Sequence, residues 1–117
     1  MTKLKTINIK GKKYVEVNER LKYFRSNYPN HSLLSEITHI DSEMVVVRTQ
    51  IIDPEDRILA SGHAHEEKSA SFINKTSYVE NCETSSWGRC LANFGIGIDE
   101  SVASANEVDI ADRKSVV

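Results

Sequence analysis

Three runs rich in apolar and β-branched residues follow one another with almost nothing between them. They are Ser32–Ile40, Met44–Ile52 and Arg57–Glu66. Asp41-Ser42 separates the first two, and Asp53-Pro54-Glu55-Asp56, a turn built on proline, separates the last two. Connections this short join antiparallel neighbours, because a parallel pair needs a crossover of a dozen residues or more. The pattern therefore predicts a three-stranded meander. In the middle run Val45, Val47, Thr49 and Ile51 share one face, and Val46, Arg48, Gln50 and Ile52 share the other. The first is the better core face. The second carries Arg48, which is half solvated or faces a partner.

A sheet with one apolar face needs a cover. The candidate is a helix from about Thr76 to Phe94, ended by Gly95-Ile96-Gly97, where glycine suits a left-handed cap. Val79, Glu83, Trp87, Cys90, Leu91 and Phe94 form its expected sheet-packing stripe. A second stripe, Asn81, Ser85, Gly88 and Ala92, is made of small residues. Glycine inside a helix costs about 1 kcal/mol relative to alanine. Gly88 therefore predicts a close approach to the helix backbone by a strand, a neighbouring subunit or a nucleic-acid backbone. Arg89 lies beside this stripe and suits a bidentate grip on phosphate.

Ahead of the meander, Thr-Ile-Asn-Ile-Lys alternates up to Gly11 and predicts a short hairpin. Asn18 is the expected N-cap of a short helix whose stripe is Val17, Leu21 and Phe24, stopped at Tyr28-Pro29. The expected fold class is α+β: an N-terminal hairpin and short helix, then a three-stranded antiparallel meander covered by a long helix. Residues 1–98 form one domain. Residues 99–117 are expected to form an acidic tail or a weak helix, the helix over Glu107–Asp112.

The formal net charge is −2, but it is unevenly spread. Lys3, Lys5, Lys10, Lys12 and Lys13 crowd the start, and Asp99, Glu100, Glu107, Asp109 and Asp112 crowd the end. Such a chain presents either a basic patch or two solvated terminal segments. Cys82 and Cys90 are eight apart on the helix, roughly 12 Å by its rise, too far for a disulfide. Two free thiols in a reducing compartment are expected. No stretch is long and apolar enough to span a bilayer, so a cytoplasmic location without a membrane partner is expected.

His63 and His65 share a strand face, with Glu67 in the same register. No further strong ligand stands at a telling spacing, so neither metal nor cofactor is expected. Glu80 and Glu83 lack a nucleophile, Ser85-Ser86 lacks a nucleophile-elbow context, and no glycine-rich phosphate loop is present. The chain is expected not to be an enzyme.

The segment from Ile73 to Ile98, following a meander, resembles the closing helix of single-strand annealing proteins. That group includes phage annealing recombinases and the eukaryotic "Rad fifty-two" proteins. Thr84, Arg89, Leu91, Phe94 and Gly95 carry the pattern, and Tyr14–Phe24 looks like the opening of small phage members. The resemblance covers residues 14 to 108. It implies non-enzymatic binding and annealing of single-stranded DNA in homologous recombination. It also implies a homo-oligomeric ring or filament in a host-cell cytoplasm. Arg89 matches a DNA-binding position, and Arg48, Lys68 and Lys75 are the supporting cations. Gly88 and Ala92 stand where relatives are basic. The alternative is therefore a small phage accessory module on the same scaffold, binding a nucleotide ligand or a host protein.

Overall fold

The computed structural model describes residues 4–69 and 74–98, with the side chains of residues 74–76 outside that set. Lys75 therefore has a backbone position but no described side chain, and the expected helix over Glu107–Asp112 lies outside the described residues.

The hairpin forms as expected. β1 (Ile7–Ile9) pairs antiparallel with β2 (Lys12–Tyr14), Ile9 opposite Lys12. Lys10 and Gly11 between them both have positive φ, 52° and 82°, as a two-residue turn matched to strand twist requires. Helix α1 (Val17–Asn27) follows directly. Its N-cap is Glu16 and not Asn18: Glu16 is extended, no side chain caps the helix, and the Glu19 and Arg20 N–H groups bond to the Glu16 carbonyl. Val17 and Phe24 are buried as their stripe predicts, and Arg20 joins them, fully buried.

Strands β3 (Ser32–Ile40), β4 (Met44–Ile52) and β5 (Ile58–Glu67) form one antiparallel sheet in the order β3-β4-β5. The register places Leu33, Ser35 and Ile37 opposite Ile51, Thr49 and Val47, with a bulge between Ile37 and His39. Val45, Val47, Thr49 and Ile51 are at most 1% exposed, so the core face is the expected one. Helix α2 (Asn74–Asn93) lies on that face, mainly over β4 and β5, and α1 packs beside it. It breaks at Ser77, where φ is −133° and ψ is 25°. Because α2 barely reaches β3, Ile37 and Ile40 remain about half exposed on the helix side of that strand.

Helix and strand backbones meet closely at Gly62 of β5. A Cβ there would lie 2.5 Å from the Cys90 nitrogen, so only glycine lets the two backbones meet. Cys82, Ser86 and Cys90 are buried in this region. The Cys82 thiol donates to the Ala64 carbonyl at 3.2 Å, and Ser86 meets Thr49 at 2.6 Å. Both cysteines are free, and burial pushes the Cys90 thiol up to about 11.

The small-residue stripe is not an open face. Ser85 and Ala92 are 3% and 7% exposed, and Gly88 is buried as well. With the sheet beneath α2 and α1 alongside it, these side chains serve packing within one chain. At the far end, the Gly95 N–H bonds to the Ala92 carbonyl and the Ile96 N–H to the Leu91 carbonyl, with Gly95 at φ 111°. That pairing is a Schellman cap, and Leu91 and Ile96 supply its apolar contact within the main core cluster.

A polar chain crosses the helix–sheet interface. The Trp87 indole N–H donates to Ser35 Oγ at 2.6 Å, Ser35 meets Thr49 at 3.3 Å, and Thr49 meets Ser86 at 2.6 Å. Ser86 then donates to the Glu83 carbonyl at 2.8 Å. One direction satisfies every group, each hydroxyl accepting from the Trp87 side and donating towards Glu83.

Candidate nucleic-acid interface

Of the four cations expected to grip DNA, Arg48 and Arg89 lie on opposite sides of the sheet, and the Lys75 side chain lies outside the described residues. Arg48 projects from the outer face of β4, where its guanidinium pairs with Glu36 across the strands at 2.7 Å. Lys68 follows β5, its N–H bonded to the Glu43 carbonyl. Lys75 lies before the break in α2, and Arg89 is exposed about three turns beyond that break, on the helix side of the sheet. Asp41, Glu43 and Glu67 line a shallow depression of about 460 Å³ near Lys68, so carboxylates surround that end. Such a surface repels phosphate.

The outer sheet face is mixed. His63 stands opposite Arg48 and His65 opposite Val46, both exposed, beside a depression of about 440 Å³ that Met44 and Val46 also line. Among the described residues, no three His, Cys, Asp or Glu side chains are placed to hold a metal ion, and no helix is long and apolar enough to cross a membrane.

The concentrated positive charge is elsewhere. Between residues 4 and 27 the chain has seven Lys or Arg and two carboxylates. Between residues 28 and 98 it has five Lys or Arg and ten carboxylates. Of the first seven, only Arg20 turns inward, donating to the Ile96 carbonyl. Lys5, Lys10, Lys12, Lys13, Lys22 and Arg25 are all exposed. The tight Lys10–Gly11 turn brings Lys10, Lys12 and Lys13 to one end of the hairpin, and two residues join β2 to α1.

On α1 the local surroundings do not cancel the charge. Lys22 lies 3.7 Å from Glu19 and remains mostly solvated. Arg25 stands 5.6 Å from the centre of the Phe24 ring, an interaction that holds its arm without neutralising it. The hairpin is anchored through Leu4, which packs on the main core cluster. Lysine clustering was the available sequence signal. Sequence pattern could not show that Arg48 and Arg57 are paired with carboxylates or that carboxylates surround Lys68.

The family described as Slr1353 N-terminal dsRNA-binding domain-like matches residues 21–94, more than half the chain, and the chain belongs to it. The matched segment runs from α1 to the end of α2, with the hairpin ahead of it. No curated protein and no solved structure matches the chain.

This family replaces the expected kinship with single-strand annealing proteins. The residues that suggested that kinship have structural work here. Leu91 is core, Phe94 packs against the core, Gly95 forms the cap, and the Thr84 hydroxyl donates to the Glu80 carbonyl one turn back. A helix capped over a sheet needs such residues whatever the family.

Proposed function

We propose that the chain binds double-stranded RNA through its phosphate backbone, using the lysine-rich hairpin and the exposed flank of α1, and that it does so without chemistry. The carrying observation is the separation of charge: an exposed basic N-terminal unit on a body otherwise rich in carboxylates. Membership of a family described as dsRNA-binding domain-like supports duplex RNA over other anionic partners. The shallow minor groove of A-form RNA is recognised by shape, by 2′-hydroxyls and by phosphates, so no base-reading pocket is needed. Cations that displace condensed counterions supply affinity that falls with salt.

The test is fluorescence anisotropy of the intact chain with three labelled probes: a duplex RNA, a duplex DNA and a single-stranded DNA. Tightest binding to duplex RNA, weakened by added salt, is the expected result. Preference for the single strand would return the reading to single-stranded DNA binding. Absence of binding to all three would favour an accessory module that takes a nucleotide ligand or a host protein.

A further inference from the structure

Four rings gather where the end of α1, the start of β3 and the end of α2 meet. Tyr28 is the C-cap residue of α1, and the turn from Tyr28 to His31 closes with the His31 N–H bonded to the Tyr28 carbonyl at 3.1 Å. Pro29 suits the second position of such a turn, which brings the imidazole back against the phenol ring. Ring centres lie 5.3 Å apart for Tyr28 and His31, 4.9 Å for Tyr28 and Phe94, and 6.2 Å for His31 and Phe94, each pair edge to face. Phe24 completes the cluster, 5.9 Å from Tyr28 and 6.0 Å from Phe94. Phe24 is fully buried, whereas the other three rings are half-buried.

Two observations set this cluster apart from ordinary core. His31 Nδ1 is buried without a hydrogen-bond partner among the described residues, a cost that a ring serving packing alone would not carry. The cluster also adjoins the basic flank of α1, because Arg25 and Tyr28 both pack on Phe24. Partly exposed rings beside a guanidinium match the two parts of a nucleotide. The rings take a base whatever its sequence, and the cation takes its phosphate.

We propose that Tyr28, His31 and Phe94 stack an unpaired nucleobase that overhangs a bound duplex, with Arg25 on the adjoining phosphate. The duplex assignment rests on the reading above, whereas the base site rests on the rings and Arg25. Inside a duplex the bases stack on one another, so only an unpaired base is free to move onto protein rings. Burial of Nδ1 leaves Nε2 as the His31 nitrogen able to hydrogen-bond the base edge. The chain should therefore favour duplexes that carry an unpaired nucleotide over blunt ones.

The test compares the affinity of the intact chain for a blunt RNA duplex and for the same duplex with a single overhanging 2-aminopurine, whose emission falls on stacking. The overhang should bind about tenfold more tightly, as expected for one base stacked on aromatic rings, and its emission should fall. Tyr28→Leu with His31→Leu should bring the two affinities together. Equal affinities and unchanged emission with the intact chain, or an undiminished preference in a folded variant, would overturn the proposal.

A second arm titrates the intact chain with adenosine 5′-monophosphate and follows the ring protons of Tyr28, His31 and Phe94 by NMR. Shifts confined to these rings are expected. Shifts without any preference for the overhang would overturn the duplex-end assignment in favour of a free nucleotide. Shifts without binding to either duplex would defeat the RNA reading while leaving the base site established.

Discussion

The guanidinium of Arg20 in α1 donates to the backbone carbonyl of Ile96, just beyond α2, across 76 positions of chain. Both residues are buried, so this bond fixes α1 and the chain exit to one point. Arg20→Met would keep much of the side-chain volume and leave the Ile96 carbonyl without that donor. A buried unsatisfied acceptor costs about 1–3 kcal/mol. The urea midpoint should fall by the corresponding amount with the slope unchanged. An unchanged midpoint would mean that the bond contributes nothing to folding.

Gly62 and Cys90 bring the β5 and α2 backbones into close approach. Gly62→Ala would force a methyl group against the α2 backbone, where no flexible side chain can yield. Overpacking of this kind costs about 1–3 kcal/mol. Thermal unfolding should show a clear fall in Tm, whereas Ala64→Gly, two residues along the same strand face, would test merely the loss of a methyl group. A Gly62→Ala protein as stable as the parent would contradict the packing.

Thr49→Val would remove the middle hydroxyl of the chain from Trp87 to Glu83 while keeping the side-chain shape. Breaking a buried polar chain costs about 1–3 kcal/mol. Since Thr49 and Ser86 share one bond, the double change Thr49→Val with Ser86→Ala should cost less than the two single changes together. Strict additivity would show that the two hydroxyls do not act as a pair.

Asp41 closes the β3–β4 turn. Its carboxylate bonds to the His39 ring at 2.8 Å and accepts the Glu43 and Met44 N–H groups. The His39 bond, followed by the backbone donors, lowers its pKa from 3.8 to about 2. A carboxyl group with a depressed pKa favours the fold above its unfolded value, and that contribution disappears as pH falls through the folded value. The loss should run from about pH 4 to about pH 2. Asp53 is shifted in the same direction, first by the Arg57 N–H, and acts in the same sense. Carbon-detected titration of the Asp41 carboxyl should give a midpoint well below 3.8, and Asp41→Asn should flatten part of the acid limb of stability. A midpoint at the ordinary carboxylate value would contradict the turn geometry.

Much of the fold was legible because its signals are local. Two short turns required an antiparallel meander, alternation in Met44–Ile52 chose the buried face, and Gly95 marked the helix end. Less legible were features set by tertiary packing. Asn18 has the chemistry of a cap, yet the helix starts earlier, at Val17, with Glu16 before it. Gly88 is buried in α2, while Gly62, in a strand where glycine gave no such warning, lies against the α2 backbone. The site was harder still. Arg20 and Arg25 are five apart in one helix; Arg20 is buried, whereas Arg25 is exposed. Arg48 is paired with Glu36 only because the strand register brings them together. Charge counting located the basic start of the chain, which the proposed interface uses, while motif matching pointed to α2.

The most direct test of the proposed interface is the salt dependence of duplex-RNA affinity, measured for the intact chain and two variants. One carries Lys12→Ala, Lys13→Ala, Lys22→Ala and Arg25→Ala, and the other carries Arg48→Ala alone. Every cation withdrawn from a phosphate should make the slope of log affinity against log salt shallower, by roughly 0.9 on the scale of B-form DNA. The fourfold variant should therefore bind at least tenfold more weakly at low salt with a visibly shallower slope, and Arg48→Ala should leave both nearly unchanged. Equal slopes for the fourfold variant and the intact chain, or a larger loss of affinity from Arg48→Ala, would contradict an interface on the hairpin and α1.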